Sequence, residues 1–332
     1  MEYYLLAFII SLCVSLILGP LVISLSKKLK ASQTVLHYVK EHESKSGTPT
    51  LGGIIFIIAT VVAACFFTKN FTLAVISLAT MFGYGILGFL DDFIKIKFKQ
   101  NLGLKPYQKV IGQVGIAGIV AYFCYTSNLV GSTVYIPFTT TAVDFGWAII
   151  PFIILLYLAV TNSVNLTDGL DGLASGVSIS YLIGFLALLF LFQGTIESPI
   201  LFEEYGNIII LTICAIGAIL GFMTYNVFPA KIFMGDTGSL ALGGLIASLA
   251  VFTRLELIVP FLGIMFVVSA LSVIIQVLHF KRTKKRIFKM APLHHHFQQK
   301  GVNENRITFV YILITMAISV LVVMIYIFAG GV

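Results

Sequence analysis

Residues 72–95 read TLAVISLATMFGYGILGFLDDFIK. From Thr72 to Leu90 no side chain carries a charge, and the run then stops on two adjacent carboxylates, Asp91 and Asp92. About 20 mostly apolar residues are what a helix needs to cross a bilayer. Inside hydrocarbon only a helix or a closed barrel satisfies the backbone, and no alternating ten-residue pattern supports a barrel. The segment therefore predicts a membrane-spanning helix with a pair of acids at its edge.

The same pattern recurs on both sides of it. Ten apolar runs predict spans at Tyr3–Leu25, Leu51–Thr68, Thr72–Leu90, Val110–Tyr125, Trp147–Thr161, Leu173–Phe192, Ile208–Thr224, Leu240–Thr253, Leu257–Leu278 and Thr308–Ala329. Hydrophobic residues make up 58% of the chain and charged ones 11%, with mean hydropathy +1.02. A soluble domain carries about 25% charged residues. The expected fold class is an all-α integral membrane protein of about ten transmembrane helices, forming one polytopic domain over residues 1–332 with no separate soluble unit.

Lys and Arg set the orientation. With both termini outside, the inner segments are 26–50, 91–109, 162–172, 225–239 and 279–307. They hold 19 of the chain's 21 basic residues, leaving only Lys69 and Arg254 on the other side. This asymmetry predicts that the inner segments face the cytoplasm. It also explains most of the net charge of +7, so Lys281–Arg286 reads as an anchor near anionic lipid and not as a nucleic-acid contact. The first span lacks a basic lead and a small-residue cleavage site, and is expected to stay as a helix. Cys13, Cys65, Cys124 and Cys214 all fall within spans without CxxC spacing and read as small buried hydrophobes. Outside, Ser127–Phe145 predicts a small β-hairpin, and Gln193–Asn207, with Glu197, Glu203 and Glu204, reads as a solvated acidic loop.

The chemistry gathers on the inner side. Asp91 and Asp92, Asp168 and Asp171, and Asp236 all sit beside span ends facing the same way. Carboxylates are costly at the edge of lipid and mark functional sites; several converging ones hold a hard cation beside a phosphate. At the end of the third helix an acid also opposes the dipole. In NSVNLTDGLDG (162–172), Asn165 fits a helix N-cap and Asp168 and Asp171 would share one face of the first turn of the sixth helix. Capping alone would account for one of these acids. Gly169 and Gly172 permit close approach of a ligand to the backbone. In NVFPAKIFMGDTGS (226–239), Gly235 and Gly238 flank Asp236 at a helix start, a place suited to a metal or phosphate oxygens, and Phe233 offers a stacking face. In KSGTPTLGG (45–53), Lys45, Ser46, Thr48 and Thr50 supply one cation and three hydroxyls. In PLHHHF (292–297), zinc is disfavoured, because no cysteine is near and adjacent histidines rarely face one ion together. Donation to a phosphate or sugar fits better.

The GTPTLGG, GFLDDFIK, NSVNLTDGLDGLA, NVFPAKIFMGDTGSLALGG and PLHHHF segments, in this order and spread over nearly the whole chain, resemble the bacterial phospho-N-acetylmuramoyl-pentapeptide transferases. That family lies within the polyprenyl-phosphate N-acetylhexosamine-1-phosphate transferases. The DD and NxxDGxDG elements are shared across the larger group; the other wordings resemble the muramoyl-pentapeptide branch. Departures fall at loop edges: Glu41–Ser44, Leu51 and Gln298-Gln299.

The resemblance implies transfer of phospho-MurNAc-pentapeptide from UDP-MurNAc-pentapeptide to undecaprenyl phosphate, giving lipid I and UMP for peptidoglycan synthesis at the bacterial cytoplasmic membrane, with Mg²⁺ and in a homodimer. It implies catalytic roles for Asp91, Asp92, Asp236 and His294, with Asp236 and Asp92 toward the metal. It implies nucleotide-side roles for Asn165, Asp168, Gly169, Leu170, Asp171, Asn226 and Phe233. Phosphate or substrate contacts would come from Lys45, Thr50, Lys95, Lys109, Gln276, His294 and His295. It also implies a broken ninth span, whose inner fragment, Ser272–Phe288, leaves the bundle. Asp92 is left as either general base or nucleophile. Two other readings are a UDP-N-acetylglucosamine:polyprenyl-phosphate transferase and a cation-coupled transporter. The transporter reading calls for ionisable groups at mid-membrane in interrupted helices, whereas here they cluster at span ends.

Overall fold

The computed structural model describes residues 2–29, 47–68, 72–98, 102–139 and 141–328. It is an all-α integral membrane protein. The helices are α1 (Glu2–Lys28), α2 (Gly53–Phe67), α3 (Thr72–Phe98), α4 (Pro106–Thr126), α5 (Ile149–Thr167), α6 (Leu173–Gln193), α7 (Pro199–Asn226), α8 (Gly235–Phe252), the short α9 (Val259–Leu262), α10 (Ile264–Thr283), α11 (Leu293–Gln298) and α12 (Glu304–Phe328). Among the described residues nine helical segments are long and apolar enough to cross a membrane. The tenth predicted span, α2, has 15 residues, about 22 Å of helix against the roughly 30 Å of a hydrocarbon core. The residues before Gly53 are hydrogen-bonded to the loop leading into α8: Gly52 N–H donates to Phe233 O at 2.9 Å and Phe233 N–H to Pro49 O at 2.9 Å.

α8 is the axis of the bundle. Every residue from Thr237 to Phe252 is buried, and the helix packs against α3, α5 and α2. Its sequence, GDTGSLALGGLIASLAVF, explains why. Lipid tails are as apolar as leucine, so helices in a membrane associate where small residues let backbones meet. A Cβ at Gly243 would stand 2.6 Å from Thr161 Cα, and one at Gly88 would collide with the Asp236 carbonyl.

At the end away from the acids, β1 (Thr133–Tyr135) pairs antiparallel with β2 (Ala142–Asp144), the predicted hairpin. Phe138 N–H donates to Tyr326 Oη at 3.2 Å, and Tyr4 meets Phe190 at the end of α6. Both ends of the bundle's chain thus share the hairpin side.

Three expectations are corrected. Gln193–Asn207 is not a solvated loop throughout: α7 begins at Pro199, and Glu204 is buried with its carboxylate accepting from Thr72 N–H and Leu73 N–H at 3.0 Å each. It caps α3 from a neighbouring helix, since the first N–H groups of a helix have no partner within it. Glu204→Ala should therefore lower thermal stability by about 2–3 kcal/mol, the scale of charge-assisted hydrogen bonds, while specific turnover stays near wild type. A thermal melt alongside an activity assay checks this. The break in the ninth span falls at Gly263, between α9 and α10, and not near Ser272; Ser272–Thr283 continues α10, whose Leu271, Ile274, Ile275 and Leu278 are exposed. Of the four cysteines, Cys124 and Cys214 are buried, whereas Cys13 and Cys65 face outward; all are free.

Candidate active site

Three carboxylates from two helices meet at one end of the bundle. Asp91 and Asp92 on α3 and Asp236 in the first turn of α8 each bring an oxygen within 4.8 Å of the others. Two lysines bind them together. Lys95, one turn beyond Asp91, lies 2.6 Å from Asp91 Oδ2 and 3.1 Å from Asp236 Oδ2, and Lys109 on α4 lies 2.7 Å from that same Asp236 oxygen. The other Asp236 oxygen, Oδ1, accepts from Asn165 Nδ2 at 2.9 Å. Three oxygen donors at this spacing, with lysines as counterions, form a donor set suited to a hard divalent cation.

The sequence puts Asp91 and Asp92 at the end of α3, where they would oppose its dipole. The structure differs: α3 runs on to Phe98, and Asp92 instead faces the positive end of α8. Asp92 Oδ1 accepts from Asp236 N–H at 3.2 Å, and Oδ2 accepts from Thr237 N–H at 2.9 Å and Thr237 Oγ1 at 2.7 Å. An anion at a helix N-terminus satisfies orphan donors and the dipole together. Adjacent carboxylates on a helix diverge, and the second is used elsewhere: Asp91 Oδ1 accepts from Leu104 N–H at 2.9 Å, fixing the segment into α4. Gly235, at φ 72°, lets α8 begin here; a Cβ on it would stand 2.6 Å from Asp92 Oδ2 and 2.7 Å from Thr50 Oγ1. Thr50 is thereby set against the acids, buried.

The 162–172 segment is also corrected. Asn165 is not an N-cap: it lies in the last turn of α5, and its side chain reaches Asp236 and Ser239 Oγ (2.8 Å). Asp168 is the C-cap residue of α5, and α6 begins only at Leu173 after Gly172 at φ 71°. Asp168 and Asp171 therefore do not share a helical turn. Burial, then the neighbouring Asp236, Asp92 and Asp171, pushes the Asp168 carboxyl up to about 8. Asp171 is engaged elsewhere: its Oδ2 accepts from Ala230 N–H at 2.9 Å, and its own N–H donates to Glu304 Oε1 at 2.7 Å. Leu170 is buried beside it. Asn226 holds the same loop, accepting from Ser175 Oγ at 2.9 Å and donating to Ile232 O at 3.1 Å. Phe233 is half-buried next to it.

α11 presents the histidines to this loop. A Cβ on Gly169 would run into His294 Nε2 and stand 3.0 Å from His295 Nε2. His294 is fully buried, its ring against those of His295 and Tyr311, and His295 Nδ1 shares a 3.1 Å hydrogen bond with Gln298 Oε1. Among the described residues the histidines join no metal-competent group. Gln276 stands apart: its amide accepts from Ile287 and Phe288 N–H and donates to Phe288 O, pinning the loop after α10. Lys45 lies outside the described residues. Two members of the cluster escaped sequence reasoning, Ser239 and Glu304. Ser239 closes the glycine-flanked Asp236 segment and Glu304 stands in the basic inner segment, but each is marked out only by what it bonds.

The chain is thus a polytopic helical membrane protein with a carboxylate–lysine centre at one end of its bundle. The chain belongs to glycosyl transferase family 4, whose family model matches residues 73–254, from α3 through α8. Proteins named phospho-N-acetylmuramoyl-pentapeptide-transferase are similar along almost the whole chain. One from Clostridioides difficile is 43% identical over 94% of both chains. One from a Thermoanaerobacter species is 46% identical over 95% of this chain and 96% of its own. One from Desulfitobacterium hafniense is 40% identical over 98% of both.

Proposed function

We propose that this protein transfers phospho-MurNAc-pentapeptide from UDP-MurNAc-pentapeptide to undecaprenyl phosphate, forming lipid I and releasing UMP at the cytoplasmic face of a bacterial inner membrane. The observation that carries the reading is the Asp91–Asp92–Asp236 cluster with Lys95 and Lys109, set at the basic end of a membrane bundle. Similarity to transferases of that name supports the substrates. The excess of Lys and Arg on the acids' side supports the cytoplasmic orientation.

One substrate arrives from water and the other from lipid, and the acids stand where the two phases meet. The attacking atom is a phosphate-monoester oxygen whose second pKa is about 6, so at neutral pH it is mostly ionised already. It attacks the phosphorus bearing the sugar; the bond from that phosphorus to the UMP oxygen breaks, and UMP leaves with the electron pair. The harder task is to bring two anions together. Lys95 and Lys109 supply fixed positive charge there, which acts strongly in a site sheltered from water. Asp236, Asp92 and Asp91 would hold Mg²⁺, which supplies charge neutralisation at the phosphoryl oxygens. Asn165 orients Asp236, and Asp92 orders the start of α8. Asp168, Gly169, Leu170, Asp171, Asn226 and Phe233 form the nucleotide side; Thr50, Lys45, His294 and His295 serve phosphate or sugar, and Gln276 acts by holding the loop after α10. Membranes carrying the protein, supplied with undecaprenyl phosphate and each UDP-sugar in turn, should release UMP with UDP-MurNAc-pentapeptide. Release only with UDP-N-acetylglucosamine would reassign the substrate.

The protein is further proposed to act as a two-fold dimer. On α4, Gly115 and Gly118 have open space around them beside the exposed Ile111, Ile119 and Tyr122, a surface on which a second helix would approach closely. Native mass measurement in lipid should find dimers, and a cysteine at Gly118 should cross-link them. Monomers alone would remove the claim.

A further inference from the structure

Below the acid centre a buried amide, Gln113, and a half-buried one, Asn162, join α4 to α5. Gln113 is fully buried. Asn162 Nδ2 donates to Gln113 Oε1 at 3.1 Å, and Gln113 Nε2 faces Asn162 Oδ1 at 3.5 Å and Thr161 Oγ1 at 3.4 Å. The pair lies one turn along each helix from a residue that touches Asp236. Gln113 follows Lys109 by four positions and Asn162 precedes Asn165 by three, so each shares a helix face with its neighbour. Lys109 and Asn165 then take opposite oxygens of the same carboxylate.

The first three turns of α4 are lightly held: Gly112 faces Leu87, Ile116 lies against Gly83, and the Tyr84 hydroxyl donates to Gln113 O at 3.0 Å. Of the residues from Pro106 to Ile116, Gln113 alone is buried; the fully buried apolar residues of this helix start at Ala117. A helix packed less tightly in its near half than in its far half is the easier to turn about its axis, and each residue of slippage swings a side chain by about 100°. An amide–amide pair resists this because its hydrogen bonds are directional and, in a low-dielectric interior, costly to leave unmade. We propose that Gln113 and Asn162 are positioning residues whose paired amides hold α4 and α5 so that Lys109 and Asn165 converge on Asp236.

The inference rests on the transfer reaction proposed above for its kinetic readout, but its geometry can be read without substrate. Three forms of the protein in lipid nanodiscs test it: wild type, the apolar double variant Gln113→Leu with Asn162→Leu, and the swapped double variant Gln113→Asn with Asn162→Gln. Replacing both amides leaves no unpaired polar group, so the leucine variant should fold and melt near wild type. Its kcat should fall by about tenfold to a hundredfold, the scale of misplacing a site group by about an ångström, with KM for the nucleotide substrate little changed. Lys109, freed from Asp236, should become several-fold more reactive to an acylating reagent, read by peptide mass spectrometry. The swap preserves the combined length of the pair and should restore both turnover and Lys109 protection. Wild-type turnover and labelling in the leucine variant, a swapped variant no better than it, or failure of the leucine variant to fold would each overturn the proposal. If wild-type protein transfers nothing, the functional reading falls, and Lys109 labelling still decides the role of the pair.

Discussion

Asp236→Asn is expected to lower turnover by at least about 10², the scale of losing one preorganised electrostatic element. Asn preserves the size of the side chain and its bond to Asn165 on one edge. It removes the negative charge shared by Lys95 at 3.1 Å and Lys109 at 2.7 Å. Lys95 retains Asp91 at 2.6 Å, whereas Lys109 loses the carboxylate that holds it. The same change removes one of the three carboxylates able to hold a divalent cation, so the apparent Mg²⁺ requirement should rise together with the loss of rate. Turnover measured across a Mg²⁺ titration, with a thermal melt to establish folding, checks both effects. Near-normal turnover at limiting Mg²⁺ would remove Asp236 from the centre of the mechanism.

Asp92→Asn should cost a comparable factor for a different reason. Both Asp92 oxygens are occupied by donors from α8. An amide in its place can keep one acceptor edge but turns an N–H₂ toward an N–H donor, at a stability cost of about 1–3 kcal/mol. This engagement also argues for direct attack by the lipid phosphate, because Asp92 acting as nucleophile would have to release the start of α8. In the variant, rate should depend steeply on pH around 6, where the acceptor phosphate takes up its second proton. The deficit should be greatest below that pH and partly recover above it. A pH series of kcat/KM for both proteins checks the expectation. Trapping a phospho-sugar on Asp92, or exchange of UMP into UDP-sugar without any acceptor lipid, would establish a two-step route instead.

The sites of these two substitutions were both legible in the sequence, as charges stranded at the ends of apolar runs. What they bond to was not. Reading Asp92 as the end of α3 requires the helix to stop there, but α3 continues for six more residues and the carboxylate serves α8, distant in sequence. Asn165 likewise reads as a cap from the Asn-x-x-Asp spacing. Its fate depends on α5 extending to Thr167 and lying beside α8, where Asp236 offers a better partner than the local backbone. Glu204 reads as one acid in a solvated loop until α7 brings it to the start of α3.

The helical membrane class, the number of apolar segments to within one short helix, the gathering of the acids at the basic side and the small hairpin at the other end were all legible in the amino-acid sequence. These follow from the cost of transferring each segment into lipid and from charge asymmetry, which are properties of the segments one at a time. Which carboxylate caps α8, where α5 ends and α6 begins, the break of the ninth span at Gly263 and the meeting of Gln113 with Asn162 emerge from helix packing alone. In a bilayer the hydrophobic effect does not choose the depth or rotation of one helix against another. Close contacts at small residues and hydrogen bonds between helices make that choice, and they exist only once the helices are packed.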